Sequence, residues 1–136
     1  MGIKELWTVP KGQIQPGYLK HTLGWPLTNE YGGGFLYAMS DTQIHLGYIL
    51  GLDYKNPYIS PYEEFQRWKT HPSIKKYIEN GTCEKYGARV IASGGFYSLP
   101  KLTAPGLALV GCSAGMVDFI KIKGAHNAIK SGVILA

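Results

Sequence analysis

The sequence is poor in cysteine, and this scarcity excludes two classes of small protein. Its two cysteines, Cys83 and Cys112, lie far apart and form neither a CxxC pair nor a Cys/His pattern. A disulfide framework needs several cysteines, and a structural zinc site needs ligands at short, regular spacings. The histidines show no such spacing either; they are His21, His45, His71 and His126. We therefore expect neither a disulfide scaffold nor a metal site.

Long apolar runs are also missing. The first residues contain no apolar core of a secretory signal. The longest apolar stretch, residues 44–52, is interrupted by His45 and is too short to span a bilayer. The sequence thus predicts no transmembrane helix, while attachment to a membrane surface stays open.

Charged residues make up only 17% of the chain, and basic ones predominate, with a net charge of +5. This composition excludes an acidic or disordered tail. A basic balance suits phosphate groups, acidic lipid or an acidic partner, and it is equally typical of a solvated surface. Nucleic-acid binding would rest on composition alone, so we do not expect it.

The chain is long enough for about one domain, with 136 residues of which 45% are hydrophobic. Its 18 glycines and 8 prolines are scattered, which favours short elements joined by tight turns. Apolar and aromatic runs predict strands at residues 5–9, 34–39, 43–54, 84–92 and 107–110. The second and third of these should form an antiparallel hairpin, and the last should be buried.

Helix signals follow the hairpin. Ser60 suits an N-cap, Pro61 suits the first helical position, and Glu63 completes a capping box. This helix should end before Pro72 and be followed by another at residues 73–79. The aromatic residues of the first helix share one face that should point into the core: Tyr62, Phe65 and Trp68. A third helix is predicted at residues 125–135, with small residues suited to close backbone approach: Ala125, Ala128, Ser131 and Gly132. The elements together predict a mixed α/β fold.

Two glycine-rich segments are candidate binding sites. The run Tyr31, Gly32, Gly33 and Gly34 exposes backbone to a flat ligand, or is simply the entry to a hairpin. The turn at residues 111–115 leads towards a helix that begins after Gly124, whose N-terminus suits an electron-rich oxygen. That turn is equally typical of a tight strand-to-helix crossover. Cys112 within it is a candidate reactive thiol, or a small buried residue.

Five segments, in order, resemble the electron transfer flavoprotein–ubiquinone oxidoreductases. They are residues 4–7, 21–33, 51–58, 60–74, and the set formed by residues 111–113, 121–124 and 130–132. The longest of them contains the sequence Phe-Gln-Arg-Trp-Lys, and the resemblance covers nearly the whole chain. The chain is therefore identified as a member of this family.

The resemblance implies an enzyme that passes electrons from reduced electron transfer flavoprotein through FAD and a [4Fe–4S] cluster to ubiquinone. It implies a segment of an FAD-dependent oxidoreductase fold, with a sheet-based quinone-binding part at residues 1–104 and a returning FAD-domain strand and helix at residues 105–136. It also implies peripheral attachment to the matrix side of the mitochondrial inner membrane. Tyr31, Gly32 and Gly33 would bind ubiquinone through backbone groups. A second set would contact FAD: Gly111, Cys112, Ser113, Gly115, Gly124 and Ala125.

The resemblance is incomplete in two respects. Proline is usual in the family at Ala114, and an Asn-Val-Pro run is usual at Asp118, Phe119 and Ile120. The family's dinucleotide-binding glycines and cluster cysteines are not among these residues, and two cysteines cannot hold a cluster that needs four thiolates. We expect a piece of something longer, a conclusion that the uncapped helix at residue 136 also favours. Other chains or segments would complete the enzyme; alternatively, the chain is a non-catalytic remnant, an accessory subunit of a mitochondrial membrane complex.

Overall fold

The computed structural model describes residues 1–118, 120–121 and 123–136. Its contacts divide the chain into two compact units, Met1–Arg89 and Val90–Ala136. The boundary precedes the one expected between quinone-binding and FAD-domain parts, which stays a prediction about the larger fold. Two residues named in the sequence analysis lie outside the described residues: Phe119, one of the departures from the family pattern, and Ile122, in the resembling segment at residues 121–124.

Unit 1 is built on a five-stranded antiparallel sheet. Its strands are β1 (Gly2–Thr8), β2 (Leu19–Leu23), β3 (Gly32–Ala38), β4 (Gln43–Leu50) and β5 (Thr82–Arg89). They lie in the order β2-β3-β4-β1-β5. The predicted hairpin is β3–β4, whose register pairs Gly32 with Leu50 and Ala38 with Ile44. Alternate residues of these strands form the buried face of the sheet, because side chains alternate along a strand.

Two helices of unit 1 contribute buried residues to the same core. The helix α1 (Pro61–Thr70) begins where predicted, and the Ser60 hydroxyl accepts a hydrogen bond from the Glu63 backbone N–H at 3.4 Å. The helix α2 (Pro72–Ile78) follows immediately, with His71 as its N-cap. Together α1 and α2 bury four hydrophobic side chains in the core: Phe65, Trp68, Ile74 and Ile78.

The aromatic face of α1 is only partly as predicted. Phe65 and Trp68 are completely buried, and their ring centroids lie 5.9 and 6.0 Å from that of Tyr48 on β4. The prediction was wrong for Tyr62, which is 56% exposed. Tyr62 lies in the first helical turn, a position from which its ring extends into solvent rather than onto the sheet.

An ion pair joins β1 to α1 inside this core. The Lys69 Nζ lies 2.8 Å from the Glu5 Oε2, and both side chains are almost entirely buried. The same carboxylate accepts a hydrogen bond of 2.7 Å from the Trp7 indole N–H. The Lys69 ammonium also lies 5.1 and 5.0 Å from the Trp7 and Phe65 ring centroids. These partners compensate for the desolvation of the two charges.

The strands differ from prediction mainly at their ends. The strand β2 was not predicted, β1 begins at Gly2 rather than at residue 5, and β4 ends at Leu50 rather than at residue 54. The strand predicted at residues 84–92 is β5, which begins and ends earlier. It pairs with β1 along one edge and is exposed throughout its length.

Unit 2 contains a short hairpin and a helix. The strands β6 (Thr103–Ala104) and β7 (Leu107–Ala108) have two residues each, and the helix α3 spans Ala125–Leu135 as predicted. The prediction of a buried strand at residues 107–110 was wrong, since Leu107 is 61% exposed. The chain as a whole confirms the expected mixed α/β class.

Candidate functional site

The three glycines, predicted either to expose backbone to a flat ligand or to be the entry to a hairpin, begin strand β3 of the β3–β4 hairpin, where all three are buried. A β-carbon on Gly32 would collide with the Ile49 carbonyl oxygen and lie 2.6 Å from Leu27 Cδ1. One on Gly33 would collide with the Thr22 carbonyl oxygen. Glycine is therefore required here because β2 and β4 approach β3 too closely to admit a side chain. The structure thus shows the hairpin entry that was one of the two alternatives. The assignment of Tyr31, Gly32 and Gly33 to quinone binding stays a prediction.

The hydrogen-bonded ladder ends unevenly beside Gly32. The pairing of β2 with β3 ends at Leu23 and Gly33, whereas that of β3 with β4 continues to Gly32 and Leu50. On the side away from β4, Gly32 therefore lies one residue beyond Gly33, the last residue of β3 that pairs with β2. Backbone groups at such a position are suited to a ligand carbonyl or hydroxyl.

Tyr31 lies at the same end of the sheet. Its carbonyl oxygen accepts a hydrogen bond of 2.8 Å from the Gly51 N–H, which ties the start of β3 to the end of β4. Its side chain is 43% exposed, and partial burial raises the pKa of its phenol above the ordinary value. The structure therefore brings Tyr31, Gly32 and Gly33 together at the sheet end to which β2 and β4 also run.

Thr22 is a residue of this site that the sequence analysis missed. It lies on β2 opposite Gly34, and its hydroxyl is hydrogen bonded to the Gly34 backbone and to the Trp68 indole N–H. A threonine in a strand carries no distinctive pattern of its own. The sequence feature that could have pointed to Thr22 is its position within residues 21–33, one of the segments that resemble the family.

The second candidate site lies in unit 2, where residues 111–114 form a short helical turn. Gly111 and Gly115 have φ angles of 59° and 74°, in the left-handed region that favours glycine. The Gly111 N–H donates to the Ser131 hydroxyl at 3.0 Å, and a β-carbon on Gly111 would lie 3.2 Å from that of Ala128. The turn thus packs on α3, and the predicted close approach is confirmed at Ala128 and Ser131. At Gly132 a β-carbon would have no neighbour within 4 Å among the described residues, so that position takes no part in the close approach.

The predicted FAD-contacting residues occupy this turn and the start of α3. Within the turn, Gly111 is buried and Cys112 and Ser113 are exposed; at the helix start, Gly124 is half-buried and Ala125 exposed. Gly124 is the N-cap and makes no side-chain capping bond, so the N–H groups of the first turn are not satisfied by the cap residue. The turn and the helix start are joined further by a 3.1 Å hydrogen bond from the Asn127 side chain to the Met116 carbonyl oxygen.

A carboxylate lies near the start of this helix. The Asp118 Oδ1 accepts a 3.0 Å bond from the Lys121 backbone N–H, and its Oδ2 lies 3.5 Å from His126 Nε2. The Lys121 N–H first, and then the nearby positive charge, lower the pKa of Asp118 below its ordinary value. Asp118 is therefore ionised at neutral pH and places a negative charge beside the N-terminus of α3.

Other chemistry is limited in the part of the chain that the structure describes. Both cysteines are free and exposed, which excludes the buried alternative for Cys112. Within residues 1–118, 120–121 and 123–136, no three His, Cys, Asp or Glu side chains are grouped as metal ligands would be. Over those same residues, no helix combines the length and hydrophobicity required to cross a bilayer.

Comparison with known proteins decides the family. The family model described as "ETF-QO, ubiquinone-binding" matches residues 1–91. That range contains all of unit 1 and therefore the whole sheet, α1, α2 and the glycine strand. This chain belongs to the ETF-QO ubiquinone-binding family. The expectation drawn from the five resembling segments is thus confirmed.

Similar full-length proteins bear the corresponding name. This chain is 51% identical over 140 residues to the mitochondrial electron transfer flavoprotein-ubiquinone oxidoreductase of Caenorhabditis elegans, and 52% identical over 139 residues to that of Sus scrofa. It is 50% identical over 137 residues to the electron transfer flavoprotein-ubiquinone oxidoreductase of Pseudomonas aeruginosa. All of this chain is covered in each comparison, but only 24%, 22% and 25% of the respective relatives. The chain thus spans about a quarter of the length of these enzymes.

Proposed function

We propose that this chain forms the ubiquinone-binding part of an oxidoreductase that takes electrons from reduced electron transfer flavoprotein and delivers them to ubiquinone. In the overall reaction, ubiquinone gains two electrons and two protons and becomes ubiquinol. The observation that carries this proposal is the match of residues 1–91 to a ubiquinone-binding family model, since that range contains a complete sheet with its helices. Other chains or segments would complete the FAD site. They would also supply the [4Fe–4S] site, because that cluster needs four thiolates.

The quinone contact is proposed at Tyr31, Gly32 and Gly33. It is supported by the edge of Gly32 that lies past the last β2 pair, and by the apolar Leu27 side chain beside it. A quinone offers a flat apolar ring with two carbonyl oxygens. An apolar wall with a few backbone polar groups is the combination that such a ligand needs.

The residues proposed to hold part of FAD are Gly111, Cys112, Ser113, Gly115, Gly124 and Ala125. They fit such a group, because Gly124 caps α3 without a side chain and leaves the helix N-terminus open to a carbonyl oxygen or an anion. FAD, when bound, would supply a centre that accepts and releases electrons. The negative charge on Asp118 would then disfavour added negative charge on the flavin, and so lower its reduction potential.

Because ubiquinone is soluble in lipid, the proposed activity takes place at a membrane surface. Several relatives are named mitochondrial, which supports a mitochondrial location. The matrix face of the inner membrane is the location that the family resemblance implies, and we propose it on that ground. Attachment there would be peripheral.

The experiment that tests this function uses the native assembly that contains the chain. Its flavin content is measured after denaturation, its quinone reductase activity with reduced electron transfer flavoprotein, and its quinone contacts by cross-linking with an azido-ubiquinone. We expect stoichiometric FAD, quinone reduction, and label in the peptide that carries Gly32. An assembly without flavin or quinone reduction would contradict the proposal, and would leave the accessory remnant that Ala114 and Asp118 suggest.

A further inference from the structure

The hydroxyl of Thr22 uses its full hydrogen-bonding capacity next to the glycine strand. It accepts from the Trp68 indole N–H at 2.8 Å and from the Gly34 N–H at 3.3 Å, and it donates to the Gly34 carbonyl oxygen at 3.2 Å. A hydroxyl has one proton to donate and two lone pairs to accept with. All three are engaged, so this one oxygen joins β2, β3 and α1.

Trp68 is itself held in place. It is 1% exposed, its ring lies against those of Tyr48 and Phe65, and it occupies the space that a side chain at Gly34 would need. The indole N–H is therefore a fixed donor, and the hydroxyl that accepts from it is fixed in turn. The position of the Thr22 oxygen is thus determined by the core and not only by β2.

The consequence reaches Gly33 through the peptide bond. The Gly34 N–H and the Gly33 carbonyl belong to one planar peptide unit, so an acceptor that orients the N–H also orients the carbonyl. The other side of Gly33 allows little adjustment, since the Thr22 carbonyl oxygen occupies the place of a β-carbon there. One side chain therefore constrains the backbone of both Gly33 and Gly34.

We propose that Thr22, anchored by Trp68, is a positioning residue that orients the backbone at Gly33 for ubiquinone. This inference rests on the proposed function, because it assigns the orientation of the same contact. Thr22 would touch no substrate and take no part in electron transfer. Its loss should weaken quinone binding without affecting how electrons enter the enzyme.

The test compares two conservative changes in the native oxidoreductase that contains this chain. Thr22→Val keeps the branched shape but removes the hydroxyl; Thr22→Ser keeps the hydroxyl and removes the methyl group. KM and kcat are measured with a short-chain ubiquinone, and the rate with ferricyanide reports electron entry without the quinone contact. We expect Thr22→Val to raise the quinone KM about five-fold, as for the loss of one backbone hydrogen bond to the quinone, and Thr22→Ser to stay near wild type.

Several results would overturn the inference. An unchanged quinone KM in Thr22→Val, in an enzyme that reduces quinone normally, refutes the positioning role and leaves the proposed function standing. If Thr22→Val lowered the rates with quinone and with ferricyanide equally, its role would be purely structural. The same would follow if Thr22→Ser, which keeps the hydroxyl, raised the quinone KM as much as Thr22→Val. Absence of quinone reduction in the wild type would overturn both. If Thr22→Val does not fold, Trp68→Phe removes the indole donor together with part of the buried ring, and an unchanged quinone KM in that variant refutes the proposal.

Discussion

At the scale of single residues, the clearest irregularity is the hydroxyl of Tyr48. It is buried under α1 and has no hydrogen-bond partner within the described part of the chain. Burial, and then the charge of Glu64, raise its pKa above the ordinary value of 10.0. A buried hydroxyl without a hydrogen-bond partner lowers the stability of the folded state, because it loses its hydrogen bonds to water; a phenylalanine ring at the same place would not.

Replacing this residue, as Tyr48→Phe, should raise the free energy of unfolding by about 1 kcal/mol, measured by urea denaturation at pH 7. The folded state keeps the phenol proton above pH 10 while the unfolded state loses it, so wild-type stability falls as the pH rises through this range. Tyr48→Phe should reduce that fall. A loss of stability at pH 7 would show that the hydroxyl has a partner, such as an ordered water.

At the scale of elements, the close approach of β2 to β3 is the feature that glycine makes possible. Gly33→Ala places a methyl group against the Thr22 backbone carbonyl, which no side-chain rotation can relieve. We expect a loss of at least about 2 kcal/mol in the free energy of unfolding, as for an overpacked core. Gly87→Ala on β5 is the matched control, because a β-carbon there meets nothing within 4 Å. Equal, small effects of both changes would contradict the packing described for β3.

This prediction also restricts how the quinone contact is tested. A large residue at Gly33 would unfold the strand and abolish activity whether or not quinone binds there. The Thr22 variants avoid that ambiguity because they leave every glycine in place.

The elements differ in how far the sequence determined them. The helices α1 and α3 could be predicted because their signals are local: Ser60 and Pro61 begin one, and small residues define the packed face of the other. The strand β2 could not, since Leu19–Leu23 has no apolar run and becomes a strand through pairing with β3. The prediction of a buried strand at residues 107–110 was wrong because only Leu107 and Ala108 of that apolar run pair with a neighbouring strand. The three glycines were found, but their burial depends on Thr22, Ile49 and Trp68, which are distant in sequence.

At the scale of the whole molecule, the two units differ in how much core they hold. Unit 1 contains the entire buried hydrophobic cluster, from Ile3 to Ile78. In unit 2, Ala114 is the one buried hydrophobic residue among those that the structure describes. A unit that buries so little apolar surface cannot offset the entropy lost when it becomes ordered.

We therefore expect residues 1–91 to fold when produced alone and residues 90–136 to remain largely unfolded. Circular dichroism during urea titration should show one cooperative transition for the first fragment and none for the second. A fragment of residues 1–91 without a cooperative transition would contradict the assignment of the core to unit 1. A cooperative transition in residues 90–136 would contradict the statement that unit 2 buries too little apolar surface to fold alone.

The distribution of the core also determines what an optical experiment can observe. The three tryptophans, Trp7, Trp25 and Trp68, all lie in unit 1, and unit 2 contains none. Trp68 is buried and bonded to Thr22, while Trp25 is 46% exposed, so unfolding of unit 1 should shift the emission of this chain to longer wavelength. Tryptophan emission therefore reports on unit 1, and events in unit 2, including occupation of the Gly111–Gly124 region, need a label of their own. A dye attached to the exposed thiol of Cys112 would supply that label, once Cys83, whose thiol is exposed as well, has been replaced.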